Sequence, residues 1–352
     1  MASNAVPHFD LAQFEHAKAE CKRRFLPALS KQFAYPWRSL IQKNLFASPR
    51  KGYVVPISTE SNIVGIGIGH KIVYGERTPT HSIRFYVRRK LPKAVIPEQH
   101  QLPSKIDGLP TDVIESDGFF ALAGIQTGKV EPVQPGCSIG FSRSGLTMAG
   151  TLGALVLDKD EGPCLLSNNH VLCFEDRLPK GTHILQPGSA DGGQDPDSWI
   201  GAFYRATALR KARSDAERMD AALAVIKPGC HTDPRALKIG KLKSPMPVAR
   251  NMLLDHPVVK SGRSTGLTRG EITDVSIDAF VEYYSDTLHL EKLIAIETSS
   301  QSSFADVGDS GSMVISEQQS APVGLVIGRD HKRTLAHTME DVLRRLEVTI
   351  MT

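Results

Sequence analysis

Phe304-Ala305-Asp306-Val307-Gly308-Asp309-Ser310-Gly311-Ser312 is the stretch from which the rest of the sequence is read, and an apolar strand carrying Val314 and Ile315 follows it directly. A serine nucleophile needs an uncrowded hydroxyl and backbone N–H groups aimed at the oxygen that becomes negative. Gly308 presents its N–H without a side chain in the way, Ser310 supplies a second N–H, and Gly311 lets an acyl group approach. The same Gly-Asp-Ser-Gly would also suit an ordinary turn, so the segment acquires meaning only with partners elsewhere.

Two such partners exist. Leu165-Leu166-Ser167-Asn168-Asn169-His170 puts a histidine directly after a buried-looking strand. A lone histidine there is usually structural. Downstream, however, Asp220 opens the apolar run Ala221–Ile226, where a carboxylate is costly to bury without a partner. An imidazolium would satisfy it. The chain order is therefore His170, Asp220, Ser310, at separations of 50 and 90 residues.

Order and motif together resemble the chymotrypsin-fold serine peptidases, whose triad runs His, Asp, Ser with Gly-Asp-Ser-Gly around the nucleophile. Ser167–Val171 stands in place of the commoner Thr-Ala-Ala-His. The α/β-hydrolase order Ser, Asp, His and the subtilisin order Asp, His, Ser do not fit. The resemblance covers residues 131–350. It is closer still to intracellular trypsin-like proteins of bacteria related to a plant narrow-leaf regulator family, through Asn62–Gly69, Gly108–Val113, Ser167–Leu172, Ile184–Gly193 and Gly262–Gly270. The fold it implies is mostly β: a chymotrypsin-like double six-stranded β-barrel peptidase domain, preceded by a helix and a small α/β or β-rich domain.

The resemblance also implies roles. His170 would take the Ser310 proton and return one to the leaving amine, Asp220 would orient the ring, and the N–H groups of Gly308 and Ser310 would bind the oxyanion. Asp309 has two precedents: pairing with a new amino terminus after cleavage, as in a zymogen, or acting without any cleavage. The substrate pocket would have Phe304 at its base and Val326, Ile327 and Arg329 along its wall. Phe304 is not Asp, so cleavage after Lys or Arg is not implied. A small or apolar preference is open, as is an acidic one through Arg329 or His331. Ser312-Met313 replaces the usual Gly-Pro, and Val171 replaces the Cys that often follows the histidine.

The rest of the sequence bounds these readings. With 352 residues, 41% hydrophobic and 23% charged, the chain has an ordinary globular composition, and 29 glycines with 22 prolines favour turns and short strands. A net charge of +4 is a weak nucleic-acid signal, even with the basic run Arg88, Arg89, Lys90 and Lys93. No apolar stretch is long enough for a membrane span, and Met1–Lys22 does not read as a secretory signal. Five scattered cysteines are no disulfide framework, so a reduced, cytoplasmic protein is expected. No metal or cofactor is expected; Cys173 with His170 lacks supporting zinc-ligand pairs.

Three regions follow: a helical segment 1–48, an accessory unit 49–130 and the peptidase domain 131–352. The helix has Asp10 as N-cap, Gln13 as its capping-box partner, Phe9 and Phe14 as a staple, and an apolar stripe through Leu11, Phe14, Ala17, Cys21, Phe25 and Leu29. The stripe packs on its own chain or recruits a regulatory protein partner. The expected function is that of a serine endopeptidase acting on protein or peptide substrates and regulated by its N-terminal region. The alternative is a catalytically silent binding or signalling module on the same fold.

Overall fold

Asp10 sets the start of α1 (Leu11–Phe25): its carboxylate accepts from the N–H groups of Ala12 and Gln13 at 3.0 and 3.2 Å, as an N-cap does. Phe14, Ala17 and Cys21 are buried together with Ile66, Ile68, Ile83 and Phe85, and Phe25 meets the Phe85 ring edge-on at 5.5 Å. Lys18, itself buried, reaches Ser276 Oγ at 2.6 Å and Asp278 at 3.3 Å. Of the two expectations for the Phe14, Cys21, Phe25 stripe, packing on its own chain is the one seen, against Ile66, Ile68, Ile83 and Phe85 of the sheet. The structure is a computed structural model, and it describes residues 10–25, 62–116, 119–120, 128–245, 249–298 and 303–352. Phe9, Pro27, Leu29 and the run Tyr53–Ile57 lie outside the described residues.

The Val- and Ile-rich run after Asn62 becomes β1 (Ile63–Val73), which turns through Tyr74-Gly75 into β2 (Glu76–Val87). Both turn residues have positive φ, 52° and 84°, as a two-residue hairpin turn requires. The irregular link beyond Arg88 holds two single 3-10 turns, at Lys93–Val95 and Glu98–His100. After it come β3 (Lys105–Ile106), β4 (Leu109–Glu115), which lies parallel to β2, and β5 (Phe119–Phe120).

The next segment is built of short strands: β6 (Ser138–Ile139), β7 (Ser142–Arg143), β8 (Leu146–Thr147), β9 (Gly150–Thr151), β10 (Ala154–Asp158) and β11 (Gly162–Ser167). A five-residue helix, α2 (Asn169–Cys173), is followed by β12 (His183–Leu185), β13 (Trp199–Ala206) and β14 (Ala222–Ile226). The last segment holds β15 (Pro257–Gly262), β16 (Gly266–Glu282), β17 (Thr287–Glu297), β18 (Met313–Ser316), β19 (Pro322–Arg329) and β20 (Arg333–Thr338). It ends in α3 (Met339–Leu346), capped by Thr338, and β21 (Val348–Ile350).

Two lobes result. In the first, the order is β12-β13-β14-β11-β10-β21, packed over Ile139, Leu152, Leu165 and Leu172. In the second, β15-β18-β19-β20-β17-β16 closes on itself through β15–β16 pairing. Among the described residues two closed six-stranded barrels are therefore not observed: the pairing there closes a ring in the second lobe only. Strands β6 to β9, which precede the first lobe's sheet, are two residues each, pair among themselves, and reach β12 only by the single bridge Gly140–Leu185.

The accessory unit is not a separate layer. Strand β16 pairs with β15 over residues 266–271 and with β1 over residues 274–279, so one sheet runs from the ring into β2, β4 and β3. Val64, Tyr86 and Ile114 share a core with Ile277, Leu293 and Leu335. The chain boundary expected near residue 130 thus separates segments of sequence rather than cores.

Candidate active site

Strands β11 and β14 are neighbours in the register Ser167↔Ala222, so both deliver their flanking polar residues to one end of the first lobe. There α2 carries His170 and the residue preceding β14 but one is Asp220. The His170 Nδ1 lies 2.6 Å from Asp220 Oδ2, and the His170 backbone N–H donates to Asp220 Oδ1 at 3.0 Å. Asn168 ties the two segments by donating from Nδ2 to the Asp220 carbonyl at 2.7 Å.

Two further side chains secure Asp220, neither singled out from the sequence. The Tyr283 hydroxyl, at the tip of the β16–β17 hairpin, donates to Oδ2 at 3.1 Å. The Asp220 N–H donates to His337 Nε2 at 3.0 Å. Burial pushes His337 down to about 4, so it is neutral near pH 7 and free to accept. Burial alone would raise the fully buried Asp220 carboxyl. The charge of His170 and the hydrogen bonds from its ring and backbone, with His337, outweigh that and hold Asp220 below the ordinary carboxylate range. Burial and the Asp220 charge push the Tyr283 phenol well up, which keeps it a donor.

Ser310 belongs to the β17–β18 connection in the second lobe, and glycines set how close that connection comes. Gly311 has φ +89°, and a Cβ there would fall 2.2 Å from Ser167 Oγ and 2.4 Å from the Thr151 carbonyl. A Cβ on Gly150 would meet Val171 at 2.5 Å and the Ser310 carbonyl at 3.1 Å. The Ser310 loop is therefore seated directly on the elements carrying Ser167 and Val171, on either side of His170. Thr151 stitches the contact: its N–H donates to the Ser310 carbonyl at 2.8 Å and its hydroxyl to the Gly308 carbonyl at 2.8 Å.

The structure thus brings His170 and Asp220 into direct contact and packs the Ser310 loop against them. It does not form a hydrogen bond to the outer ring nitrogen: His170 Nε2 is buried without one. The Ser310 hydroxyl faces the Ile327 carbonyl at 3.5 Å, and Ser310 is completely buried. Gly308 has φ +103°, a conformation that suits only glycine.

Of the remaining expected residues, all but Arg329 are buried. Phe304 is core: it packs with Ile272, Ile296 and Val314, and its ring lies so close to Gly270 that a Cβ there would be 2.9 Å away. Val326 and Ile327 are likewise fully buried. Arg329 is the one of the four near the surface, and Asp306 neutralises it at 2.9 Å. Asp309 is fully buried 3.1 Å from Lys260. Cys173 hydrogen-bonds Asn169 at 3.1 Å, and burial pushes its thiol up to about 12. A separate acid–histidine group, Asp215, His289 and Glu291, has ligand atoms within 4.8 Å of one another. Lys22 already pairs with Glu291 and Arg218 with Asp215, so a cation would have to displace two positive charges. Among the described residues no helix is long and apolar enough to cross a membrane.

The model for the Nal1 C-terminal domain family matches residues 237–342, the segment that contains most of the second lobe. No curated protein matches the chain. Among solved structures, Thermobifida fusca Protease A is 16% identical, with a TM-score of 0.43 over 62% of this chain and 98% of its own. Nocardiopsis protease is 16% identical, with a TM-score of 0.43 over 62% and 99%. A glutamic acid-specific serine protease with a histidine triad in substrate binding is 15% identical, with a TM-score of 0.41 over 62% and 100%. The solved structures matched are proteases, and the family match lies in the C-terminal part of the chain.

Proposed function

We propose that the chain is a serine endopeptidase in which Ser310 is the nucleophile, His170 the general base and then acid, and Asp220 the group that orients the imidazole. The observation that carries this reading is the buried His170–Asp220 contact of 2.6 Å, with an unpartnered outer nitrogen, on the element against which the Ser310 loop is seated. With Asp220 accepting at Nδ1, a neutral imidazole keeps its proton there and its lone pair on Nε2. A side-chain rotation of Ser310 away from Ile327 presents the hydroxyl to that lone pair. As Oγ bonds to the scissile carbonyl carbon, its proton passes to Nε2. The N–H groups of Gly308 and Ser310 receive the oxyanion, each donor worth about 3 kcal/mol in the transition state. The proton then goes to the leaving amine, and water repeats the sequence on the acyl-enzyme. With Phe304 in the core and Arg329 neutralised by Asp306, a small or apolar residue before the cut fits better than an acidic one.

Restraint by the N-terminal half is part of the proposal. Strand β18 covers β19 from Pro322 to Leu325 and leaves the edge open beyond Val326. There β5 pairs antiparallel with Arg329, two residues beyond Ile327. An extended peptide drawn along that edge toward Ser310 would compete with β5. A second reading, a catalytically silent module, is favoured by the complete burial of Ser310. A fluorophosphonate separates the two readings. Labelling of the full chain that is lost in Ser310→Ala, and accelerated by Phe120→Pro, is expected of the peptidase. No labelling of either protein identifies the silent module.

A further inference from the structure

Lys260 occupies the middle of β15, after Val258 and Val259, and pairs across the sheet with Thr268 and Val314. Its side chain is 0% exposed, as is that of Asp309. A lone ammonium at such a place would be strongly unfavourable. Here it is fully engaged: Nζ lies 3.1 Å from Asp309 Oδ2, donates to Thr265 Oγ1, and donates to the Gly266 carbonyl at 3.2 Å. The remaining acceptor capacity of Asp309 is also filled. Its Oδ1 accepts from the N–H groups of Ser264 and Thr265 at 2.7 and 3.3 Å, and its Oδ2 from Thr265 Oγ1 at 2.6 Å and the Asp306 N–H at 2.9 Å.

We propose that Lys260 is a positioning residue for the Ser310 site: its ammonium is the resident counter-charge of Asp309 and holds the Gly308–Ser310 turn in working shape without a newly cut amino terminus. The inference rests on reading Ser310 as the nucleophile. Asp309 is the residue bonded to Ser310, and its carboxylate ties the turn at Asp306 to the β15–β16 turn at Ser264 and Thr265. The Asp309 N–H donates to the Asp306 carbonyl at 2.8 Å and its carbonyl accepts from Ser312 at 2.8 Å, so a shift of the carboxylate moves the backbone on both sides of Ser310. The Thr265 hydroxyl accepts from Lys260 and donates to Asp309, which fixes the direction of every proton in the cluster. Close approach is built in at Gly262, where a Cβ would fall 2.5 Å from Asp309 Oδ1 and 2.3 Å from Ser312 Oγ. An incoming terminal ammonium would meet a carboxylate whose charge is already matched, would face Nζ as a like charge, and would have to displace donors already in place. Burial lowers the Lys260 ammonium from its ordinary value, and the Asp309 charge and hydrogen bond, with a smaller contribution from Asp306, oppose that.

The test uses the full chain carrying an uncleaved N-terminal extension, shown intact by mass spectrometry. In the Phe120→Pro background, where β5 no longer restrains the site, intact protein should label with a fluorophosphonate at the same rate as protein nicked by limited proteolysis. Labelling that appears only after a cut overturns the inference. Lys260→Met and the milder Lys260→Gln should slow labelling about 100-fold or more through the bond-forming rate constant, with reagent binding unchanged, as loss of oxyanion geometry does. Amide exchange at Asp306, Ser264 and Thr265 should rise in both variants. Wild-type exchange in a folded variant also overturns the inference, and this readout needs no catalysis. If neither intact nor nicked chain labels while exchange rises, the peptidase reading fails and the clamp stands.

Discussion

Replacing Asp220 by Asn is nearly isosteric and strikes the one contact on which the catalytic reading turns. Asp220 accepts from the His170 ring and the Tyr283 hydroxyl on Oδ2, and from the His170 N–H on Oδ1. An asparagine has one acceptor oxygen and one NH₂, so one of these positions must receive a second donor. If the NH₂ faces the His170 backbone N–H, a buried bond is lost, at about 1–3 kcal/mol of stability. If the amide turns the other way, NH₂ donates to Nδ1, the imidazole carries its proton on Nε2, and that nitrogen can no longer take the Ser310 proton. Both arrangements remove the negative charge that stabilises the imidazolium. The same change in a trypsin-like triad costs about 10⁴ in turnover, roughly 5.5 kcal/mol of barrier, and that is the loss expected here. The assay is hydrolysis of a fluorogenic peptide library with fluorophosphonate labelling in parallel, on protein whose circular dichroism matches wild type. Activity within tenfold of wild type would mean that another acid orients His170.

Three smaller perturbations probe the same surroundings. Tyr283→Phe removes a donor from Asp220, leaves a more basic carboxylate beside the imidazole, and should move the acid limb of kcat/KM to higher pH by a fraction of a unit; a limb moving to lower pH contradicts the assigned hydrogen bond. His337 is neutral in the folded protein down to about 4 while the unfolded chain protonates near about 6.5, so the unfolded state binds more protons between these values. Stability should therefore fall by roughly 3 kcal/mol as pH drops through that window, less steeply in His337→Gln, and equal slopes from urea melts would remove His337 from the account. Burial pushes the thiols of Cys21, Cys137, Cys164 and Cys173 up to about 12, so iodoacetamide should reach only the half-exposed Cys230 in native protein; rapid alkylation of the other four would show that their segments open.

What the sequence discloses here depends on whether a residue's role is set locally. The Gly-Asp-Ser-Gly turn, the strand before His170 and the Asp220 that opens an apolar run are local patterns, and the structure gathers those segments at one place. Strands with clean apolar runs, such as Asn62–Tyr74 and Pro322–Ile327, are found almost to their ends. The 17-residue β16 is not legible, because Asp274, Ser276 and Asp278 interrupt its apolar pattern, and only Arg84 and Lys18, distant in sequence, explain why those polar groups can be buried. Tyr283, His337 and Lys260 were missed for the same reason: each gains its role from a partner across the fold. A lysine following two valines, in a run ending at glycine, was the available signal for Lys260. The resemblance puts Phe304 at the base of the pocket, yet packing against Gly270 sends its ring into the core.

The shared sheet also changes what truncation can show about the N-terminal half. Starting the chain near residue 131 would strip β1 from β16 over residues 274–279 and remove Val64, Tyr86 and Ile114 from the core they share with Ile277 and Leu293. Asp274, fully buried, would lose Arg84. Asp278 would lose Lys18 and Lys22, and Asp330 would lose the Ser116 hydroxyl that reaches it at 2.8 Å. Breaking one buried ion pair costs about 3–5 kcal/mol, and two such losses with an exposed apolar face rival the roughly 5–15 kcal/mol that holds a typical domain together. A fragment of residues 131–352 made alone should therefore aggregate, and co-expression with residues 1–130 should rescue it as a complex. An isolated fragment that melts cooperatively within a few degrees of the full chain would refute this. If the fragment does collapse, loss of its activity says nothing about inhibition, because the truncation removes the platform strands and the proposed β5 restraint together. Only a substitution in β5, such as Phe120→Pro, which loosens its pairing with Arg329 and Glu282 but leaves β1, β2 and β4 in the sheet, can then separate holding the sheet together from holding the substrate out.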